Sequence, residues 1–210
     1  HSRRDVDEIA ILDVTATKEN RYISPQLVTS LSRTVRIPLT VGGGIRSAAH
    51  VSELLRAGAD KVVLGTAAHE DTGLITKLAR RFGSQAIVCS VDACENGQKT
   101  ARNSGQFREN AKPLIVAEQF IEAGAGEILL QDVDRDGTML GLNLSLIGDI
   151  ARQSPVPVIA SSGLNSPENA LAAVRLGASA VAAGAVWQFT ELTPAIVKET
   201  IAQAGFPVRT

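Results

Sequence analysis

The sequence has almost no excess charge, few cysteines and no long apolar run, and each absence excludes a class of protein. Its 21 basic and 22 acidic residues give a formal net charge of −1, so neither nucleic acid nor a membrane is an expected partner. Cys89 and Cys94 form no Cys-x-x-Cys or Cys/His array, which predicts ordinary thiols with no metal and no cofactor. No run approaches a membrane span and the polar N-terminus is unlike a signal peptide, which predicts a cytoplasmic protein.

Short β-branched runs alternate with helical patterns along the whole chain. Seven runs have the length and composition of buried parallel strands, at 8–14, 37–41, 61–65, 86–92, 127–133, the start of 156–165, and 180–183. Uninterrupted alternation predicts one α/β domain over residues 1–210, with a parallel sheet and outer helices. The polar stretch at 95–109 is predicted to be a mobile loop or a small hairpin over the site.

An internal repeat relates the two halves of the chain. The stretch at 37–46 occurs again, altered, at 156–165, and the same offset of 119 residues aligns Asp13 with Asp132. The register holds across three strands, which chance spacing would not explain. Two similar halves built from βα units predict the (βα)8 fold of the TIM barrel family, assembled from half-barrels.

Only seven βα units are found, and the repeat indicates which one lacks a counterpart. The strand ending at Asp92 has no partner at the 119-residue offset, so we expect that partner upstream of residue 1. Without it, sheet edges beside strands 8–14 and 180–183 are exposed. Exposed edges pair readily with other chains, and we therefore predict a homo-oligomer that covers them.

Glycines follow the strand ends in both halves, where backbone N–H groups can approach a phosphate closely. The first candidate cradle comprises Gly43, Gly44, Gly65 and Thr66, and the second comprises Ser162, Gly163, Gly184 and Ala185. Tight βα turns also use glycine for steric reasons alone. Two cradles related by the repeat favour a ligand with a phosphate at each end.

Aspartates close or follow several predicted strands, at the edge where barrel enzymes place their sites. They are Asp13, Asp92, Asp132, Asp134 and Asp136. Helix capping and loop turns are the alternative explanation, above all for Asp136, which precedes a glycine.

The catalytic candidates are Asp92, Asp13 and Asp132. Asp92 is favoured because it shares strand parity with Val88 and Ser90, which places its carboxylate at the barrel mouth as a general acid or base. A metal cluster is disfavoured because no histidine lies near these carboxylates in the pattern.

Charged residues begin three of the strands, at the opposite edge of the sheet. They are Glu8, Lys61 and Glu127. Position alone suggests a structural ring of ion pairs that closes the bottom of the barrel.

Several longer motifs together resemble one known family. They lie at 12–17, 40–45, 58–62, 82–86, 124–130 and 134–138. The combination resembles the cyclase subunit of imidazole glycerol phosphate synthase. The resemblance implies a (βα)8 barrel lyase of histidine biosynthesis that takes ammonia from a glutaminase partner and closes an imidazole ring on a bisphosphorylated ribulosyl-formimino carboxamide ribotide.

Matching motifs imply roles for individual residues. Asp92 matches one of two catalytic aspartates, whereas the second, like the arginine of the ammonia gate, belongs on the strand expected upstream of residue 1. Gly44 and Thr66 match one phosphate site; Asp136, Gly137 and Gly163 match the other. Glu8, Lys61 and Glu127 match three members of the ammonia gate.

The chain departs from the family pattern at a few site positions. Gln131 and Asp132 stand where the family usually has threonine or asparagine followed by serine, which adds a negative charge near the ring-closing chemistry. Gly65 replaces a usual asparagine, Ser162 a usual glycine and Ala185 a usual serine. Both phosphate sites therefore have changed donors.

Two alternatives to the cyclase remain. One is a non-catalytic oligomeric protein, a fragment of a barrel that binds phosphorylated metabolites. The other is a paralogue that supports amidation of surface-polysaccharide sugars. The related sugar-phosphate isomerase barrel is disfavoured because LDVTAT at 12–17 resembles the cyclase pattern.

Overall fold

The computed structural model describes residues 5–102 and 105–209. Its strands are β1 (Ile9–Leu12), β2 (Leu39–Gly42), β3 (Lys61–Leu64), β4 (Ile87–Cys94), β5 (Lys99–Arg102), β6 (Phe107–Glu109), β7 (Glu127–Asp132), β8 (Val158–Ser161) and β9 (Ala180–Val181). Seven of them pair in parallel in the order β1-β2-β3-β4-β7-β8-β9. This order confirms the predicted fold class, a parallel sheet with the strand succession of a partial (βα)8 barrel.

Helices follow the strands and cover one face of the sheet. They are α1 (Pro25–Ser32), α2 (Ala48–Arg56), α3 (Thr66–Glu70), α4 (Thr72–Phe82), α5 (Pro113–Ala123), α6 (Leu144–Ala151), α7 (Pro167–Arg175), α8 (Ala185–Phe189) and α9 (Pro194–Gln203). In the sequence, a serine or threonine followed by proline predicts a helix start at Ser24, Ser166 and Thr193. The structure confirms all three, since each side chain accepts a backbone N–H of the first turn.

Two short helices were not predicted from periodicity. Helices α3 and α8 each have five residues, which is too short for a repeating apolar stripe. They begin directly after Gly65 and Gly184, and the 119-residue offset superimposes one on the other. The repeat therefore extends to the backbone of the two candidate cradles.

Alternating strand residues separate an outer core from an inner cluster. Val62, Ile87 and Ile128 belong to the main core between the sheet and the helices. The inner cluster is built around Val88 and Leu129 on neighbouring strands, with Val63 and Ile159 packed against them. Since side chains on a strand alternate between faces, this split assigns every other residue of each strand to the inside of the sheet.

The polar stretch at 95–109 contains a hairpin, which confirms one of the two predicted alternatives. Strand β5 pairs antiparallel with the end of β4, opposite Asp92, and β6 pairs with β5. Positive φ angles at Glu95 and Asn96, of 52° and 56°, turn the chain between β4 and β5. Residues 103 and 104 of this stretch lie outside the described residues.

The first and last parallel strands are shorter than predicted. Strand β1 ends at Leu12 rather than at 14, because the Asp13 carboxylate accepts the N–H of Thr15 and turns the chain. Strand β9 has two residues. Within residues 5–102 and 105–209, no pairing joins β1 to β9, and the sheet is open between them. None of the helices in this described part is long and apolar enough to cross a membrane.

Candidate functional site

Asp92 lies on the inner face of the sheet near the C-terminal end of β4. Val88 belongs to the inner cluster, and Ser90 and Asp92 follow it on the same face. The Ser90 hydroxyl donates to Oδ1 of Asp92 at 2.5 Å. The Gln131 amide donates to the same oxygen at 3.4 Å. Gln131, one of the residues that depart from the family pattern, therefore contacts the principal catalytic candidate.

The environment of Asp92 suits proton transfer. Burial raises the pKa of the Asp92 carboxyl above its ordinary value; the hydrogen bond from Ser90 opposes that effect, and the charge of Asp136 adds to it. A carboxyl whose pKa moves toward neutrality takes up and releases protons more readily at physiological pH.

The first candidate cradle lies between the ends of β2 and β3. Gly43 and Gly44 have φ angles of 120° and 63°, which side chains other than hydrogen disfavour. A Cβ on Gly44 would also overlap the carbonyl oxygen of Arg21. At Gly65, by contrast, no described atom lies within 4 Å of the position that a Cβ would take, so there is open space beside the start of α3 at Thr66.

The second candidate cradle is a cavity at the ends of β8 and β9. Its volume is about 30 Å³, and it is lined by all six residues predicted for this site, namely Asp136, Gly137, Ser162, Gly163, Gly184 and Ala185. Ser161 and Met139 line it as well. A Cβ added to Gly184, as to its repeat partner Gly65, would have no described atom within 4 Å.

Two non-glycine residues of this cavity have left-handed backbone angles. Ser162 has a φ of 76° and Met139 a φ of 54°, values that cost free energy for residues with a side chain. Ser162 is also buried. Strained backbone of this kind concentrates at ligand sites, where the surrounding structure holds it in place.

Asp13 and Asp132 have hydrogen-bond partners different from those of Asp92. Asp13 accepts N–H groups from Thr15 and Ala16, each at 3.2 Å, and forms an ion pair with Arg21. That hydrogen-bonded ion pair lowers the pKa of Asp13. Both features favour loop anchoring over proton transfer for Asp13.

Asp132 is buried on the helix-facing side of the sheet, with 2% of its surface exposed. Its Oδ2 accepts the Asn143 amide at 2.8 Å and lies 3.5 Å from Nε of Arg135. Gln131, its neighbour along β7, faces inward, and alternation turns Asp132 the opposite way. The extra negative charge expected near the ring-closing chemistry is therefore on the other face of the sheet.

The three charged residues at the N-terminal strand ends are brought together. Nζ of Lys61 lies 2.7 Å from Oε1 of Glu127 and 3.1 Å from Oε2 of Glu8. Desolvation lowers the pKa of Lys61, but its hydrogen bonds to Glu127 and Glu8 outweigh this effect and raise the pKa above the ordinary value. Lys61 therefore stays protonated, as either a structural ring or an ammonia gate requires.

The hairpin is attached to the loop after β7 through Asp134. Oδ2 of Asp134 accepts the backbone N–H of Glu95 at 2.6 Å, and Oδ1 accepts from the Arg108 guanidinium at 2.9 Å. This places Asp134 in a structural role. In residues 5–102 and 105–209, no group of three or more His, Cys, Asp or Glu side chains is arranged to hold a metal ion.

Sequence reasoning missed the partners that shape the site. Gln131 was noted only as a departure, and Arg21, Arg135 and Asn143 were not predicted at all. The two arginines do not occupy equivalent positions in the repeat, so the offset that identified the aspartates could not find their partners. Ser161 also lines the cavity, and the only feature of the sequence that could have indicated this was its position at the end of a predicted strand.

Comparison with known proteins agrees with this geometry. The family model described as histidine biosynthesis protein matches residues 1–193. The imidazole glycerol phosphate synthase subunit HisF of Nocardioides sp. is 42% identical over 213 residues, covering 97% of this chain and 83% of the relative.

Two further relatives carry the same name. HisF of Streptomyces coelicolor is 44% identical over 206 residues, covering 97% of this chain and 82% of the relative. HisF of Thermobifida fusca is 42% identical over 211 residues, with coverage of 97% and 82%. The chain therefore belongs to the family of histidine biosynthesis proteins, within which it is similar over most of its length to the HisF subunits.

Proposed function

We propose that this protein is the cyclase subunit of an imidazole glycerol phosphate synthase, with Asp92 as a general acid or base. The observation that carries the proposal is the arrangement at one edge of the sheet. Two glycine cradles related by the repeat lie at the same strand ends as a partly buried carboxyl with a raised pKa. The names of the relatives support this function over the two alternatives.

The proposed substrate is a bisphosphate that spans the mouth of the barrel. Backbone N–H groups around Gly44 and Gly163 would hold its two phosphates and fix its orientation. Asp92 would then lie below the reacting centre, where its carboxyl accepts a proton as the new ring bond forms or donates one to a leaving group. Ser90 and Gln131 would hold that carboxyl in position through their hydrogen bonds.

A glutaminase partner is proposed for the opposite edge of the sheet. Lys61, Glu8 and Glu127 would form part of the gate through which ammonia enters the barrel. The relatives are named as subunits, which supports a second subunit in the assembly. For the 210-residue chain, in which the sheet is open between β1 and β9 within the described residues, we also propose self-association through that edge.

The function is tested by turnover with ammonium as the nitrogen source. The native protein, with its N-terminus established by intact mass, is supplied with the bisphosphate substrate. Asp92→Asn should lower kcat by about 10²- to 10⁴-fold, as expected on loss of a general acid or base. Asp60→Asn is the matched control, because Asp60 lies at the other edge of the sheet, where its carboxylate accepts the backbone N–H of Leu39. Equal turnover by Asp92→Asn and wild type would refute the assignment.

A further inference from the structure

We propose that Asp13 and Asp132 are positioning residues, each holding the loop that shapes one of the two phosphate cradles. The inference rests on the proposed function, because it takes both cradles to bind phosphate. Asp13 would serve the first cradle and Asp132 the second. Neither would transfer a proton, which assigns a different role to two residues that the sequence suggested as catalytic.

Asp13 fastens both ends of the loop that follows β1. Its Oδ1 accepts the N–H groups of Thr15 and Ala16 and the Thr15 hydroxyl, the last at 3.1 Å. Its Oδ2 binds the guanidinium of Arg21, eight residues along the chain, and that guanidinium also donates to the Thr15 hydroxyl at 2.8 Å. The carboxylate therefore ties the start of the loop to its end.

The far end of this loop forms a wall of the first cradle. The carbonyl of Arg21 lies so close to Gly44 that a Cβ there would overlap it. The N–H of Ile23 donates to the carbonyl oxygen of Gly43 at 3.0 Å. A shift of the loop would therefore move the two glycines whose N–H groups are offered to the phosphate.

Asp132, the repeat partner of Asp13, fastens the loop that follows β7 in the same way. Its Oδ1 accepts the N–H two residues ahead, from Asp134, at 3.2 Å. Its Oδ2 accepts from Asn143, at the start of α6, and faces the guanidinium of Arg135. Each half of the molecule thus pairs an aspartate at the strand end with an arginine in the loop.

This second loop forms a wall of the second cradle. Arg135 donates to the carbonyl of Gly141 at 3.0 Å, and the N–H of Gly141 donates to the carbonyl of Gly163 at 2.7 Å. A Cβ on Gly163 would come within 2.8 Å of the Gly141 oxygen and 3.1 Å of the Arg135 Cβ. The loop also carries Asp136 and Gly137, which line the cavity.

The two positions are independent enough to be tested separately. Inorganic phosphate is titrated into isotopically labelled protein, and the amide signals of Gly44 and Thr66 report the first cradle while those of Gly163 and Ala185 report the second. Asp→Asn keeps the shape of the side chain, but it removes the charge and one acceptor from each network.

Asp13→Asn should weaken phosphate binding at the first cradle by roughly tenfold, because small displacements of positioning groups have effects of this order or larger. Binding at the second cradle should stay unchanged. Asp132→Asn should give the opposite pattern. Asp60→Asn, which alters an aspartate remote from both loops, should leave both cradles as in wild type.

A loss of phosphate affinity at one cradle but not at the other distinguishes a positioning role from general destabilisation of the protein. If Asp132→Asn does not fold, Arg135→Gln tests the same network, and Arg21→Gln does so for the first cradle. Selective weakening at one cradle in each variant supports the inference. Unchanged binding, or equal weakening at both cradles, overturns it while leaving the proposed function intact. Failure of the wild type to bind phosphate at either cradle overturns the proposed function and this inference together.

Discussion

Burial raises the pKa of Asp92, and at the residue scale this has opposite consequences for proton transfer and for folding. The unfolded chain releases this proton near its ordinary pKa of 3.8, whereas the folded protein retains it to higher pH. The free energy of unfolding therefore falls as pH rises from the unfolded-state pKa through the folded-state pKa. The raised pKa of Asp92 thus lowers the stability of the fold at neutral pH.

We predict that Asp92→Asn raises the free energy of unfolding at pH 7. Asparagine carries no charge to bury, and its side-chain oxygen can still accept from Ser90. The gain should disappear below about pH 3, where the wild-type carboxyl is protonated in both states. Urea denaturation at the two pH values measures the difference. A variant less stable than wild type at pH 7 would contradict this account.

We predict that Lys61→Met lowers the free energy of unfolding by about 1–3 kcal/mol, because it leaves partly buried carboxylates without their charged donor. The side chain of Glu127 is only 16% exposed. Lys77→Met, on the exposed surface of α4, is the control and should change stability by no more than about 0.5 kcal/mol. Equal effects of the two substitutions would show that the Glu8–Lys61–Glu127 triad does not stabilise the fold.

The sequence predicted where the carboxylates lie along the chain, but it was less informative about which way they point. Strand parity predicted the inner face for Asp92 from Val88 and Ser90, and the structure places it there. Asp132 stands beside Gln131, and which of two neighbours faces inward depends on register with β4. Register is set by long-range pairing, which a single sequence does not display.

At the element scale, two glycines that follow β2 and β3 in the first cradle differ in how much the backbone depends on them. The conformation of the turn requires glycine at Gly44 but not at Gly65. We predict that Gly44→Ala lowers stability by at least about 2 kcal/mol, because alanine disfavours a φ of 63° and its Cβ would meet Arg21. Gly65→Ala should change stability by about 0.5 kcal/mol or less, since its φ is −110° and its surroundings are open.

Phosphate binding provides the second measurement on the same pair. The methyl group of Gly65→Ala would enter the space proposed for the ligand, so this stable variant should bind inorganic phosphate more weakly than wild type. Denaturation and phosphate titration on the two variants check both halves of the prediction. A Gly65→Ala variant with full phosphate affinity would remove Gly65 from the cradle.

Long elements were predictable, and short ones were not. The caps at Ser24, Ser166 and Thr193 set the starts of α1, α7 and α9 correctly, because capping chemistry is local. Helices α3 and α8 escaped prediction because a single turn has no measurable periodicity. The hairpin within 95–109 was left open between two forms, since its turn depends on positive φ angles at Glu95 and Asn96 rather than on a glycine alone.

At the scale of the whole molecule, one main core cluster extends from Ile23 in the first half to Ile201 in α9. This continuity supports the prediction that residues 1–210 form a single domain. Thermal unfolding should then be one cooperative transition, with coincident curves from Trp187 fluorescence and far-UV circular dichroism. Two separated transitions would indicate that the half-barrels unfold independently.

The open edge of the sheet is the remaining feature of the whole molecule, and its chemistry favours association. Leu12 and Val14, at the end of β1, are 36% and 64% exposed, although strands of this fold are ordinarily buried on both faces. Among the described residues no strand pairs with the outer edge of β1, and an open sheet edge beside exposed apolar side chains is a site at which another chain can add a strand.

We predict that the 210-residue chain forms a homo-oligomer and that Leu12→Lys shifts it toward the monomer, because a charge on an edge strand opposes pairing. Light scattering after gel filtration gives the mass of each form. Leu27→Lys is the matched control, since Leu27 is similarly exposed, at 45%, but lies on α1 away from the strand edge; it should leave the mass unchanged. A monomeric wild type, or a loss of assembly in the control alone, would refute association through β1.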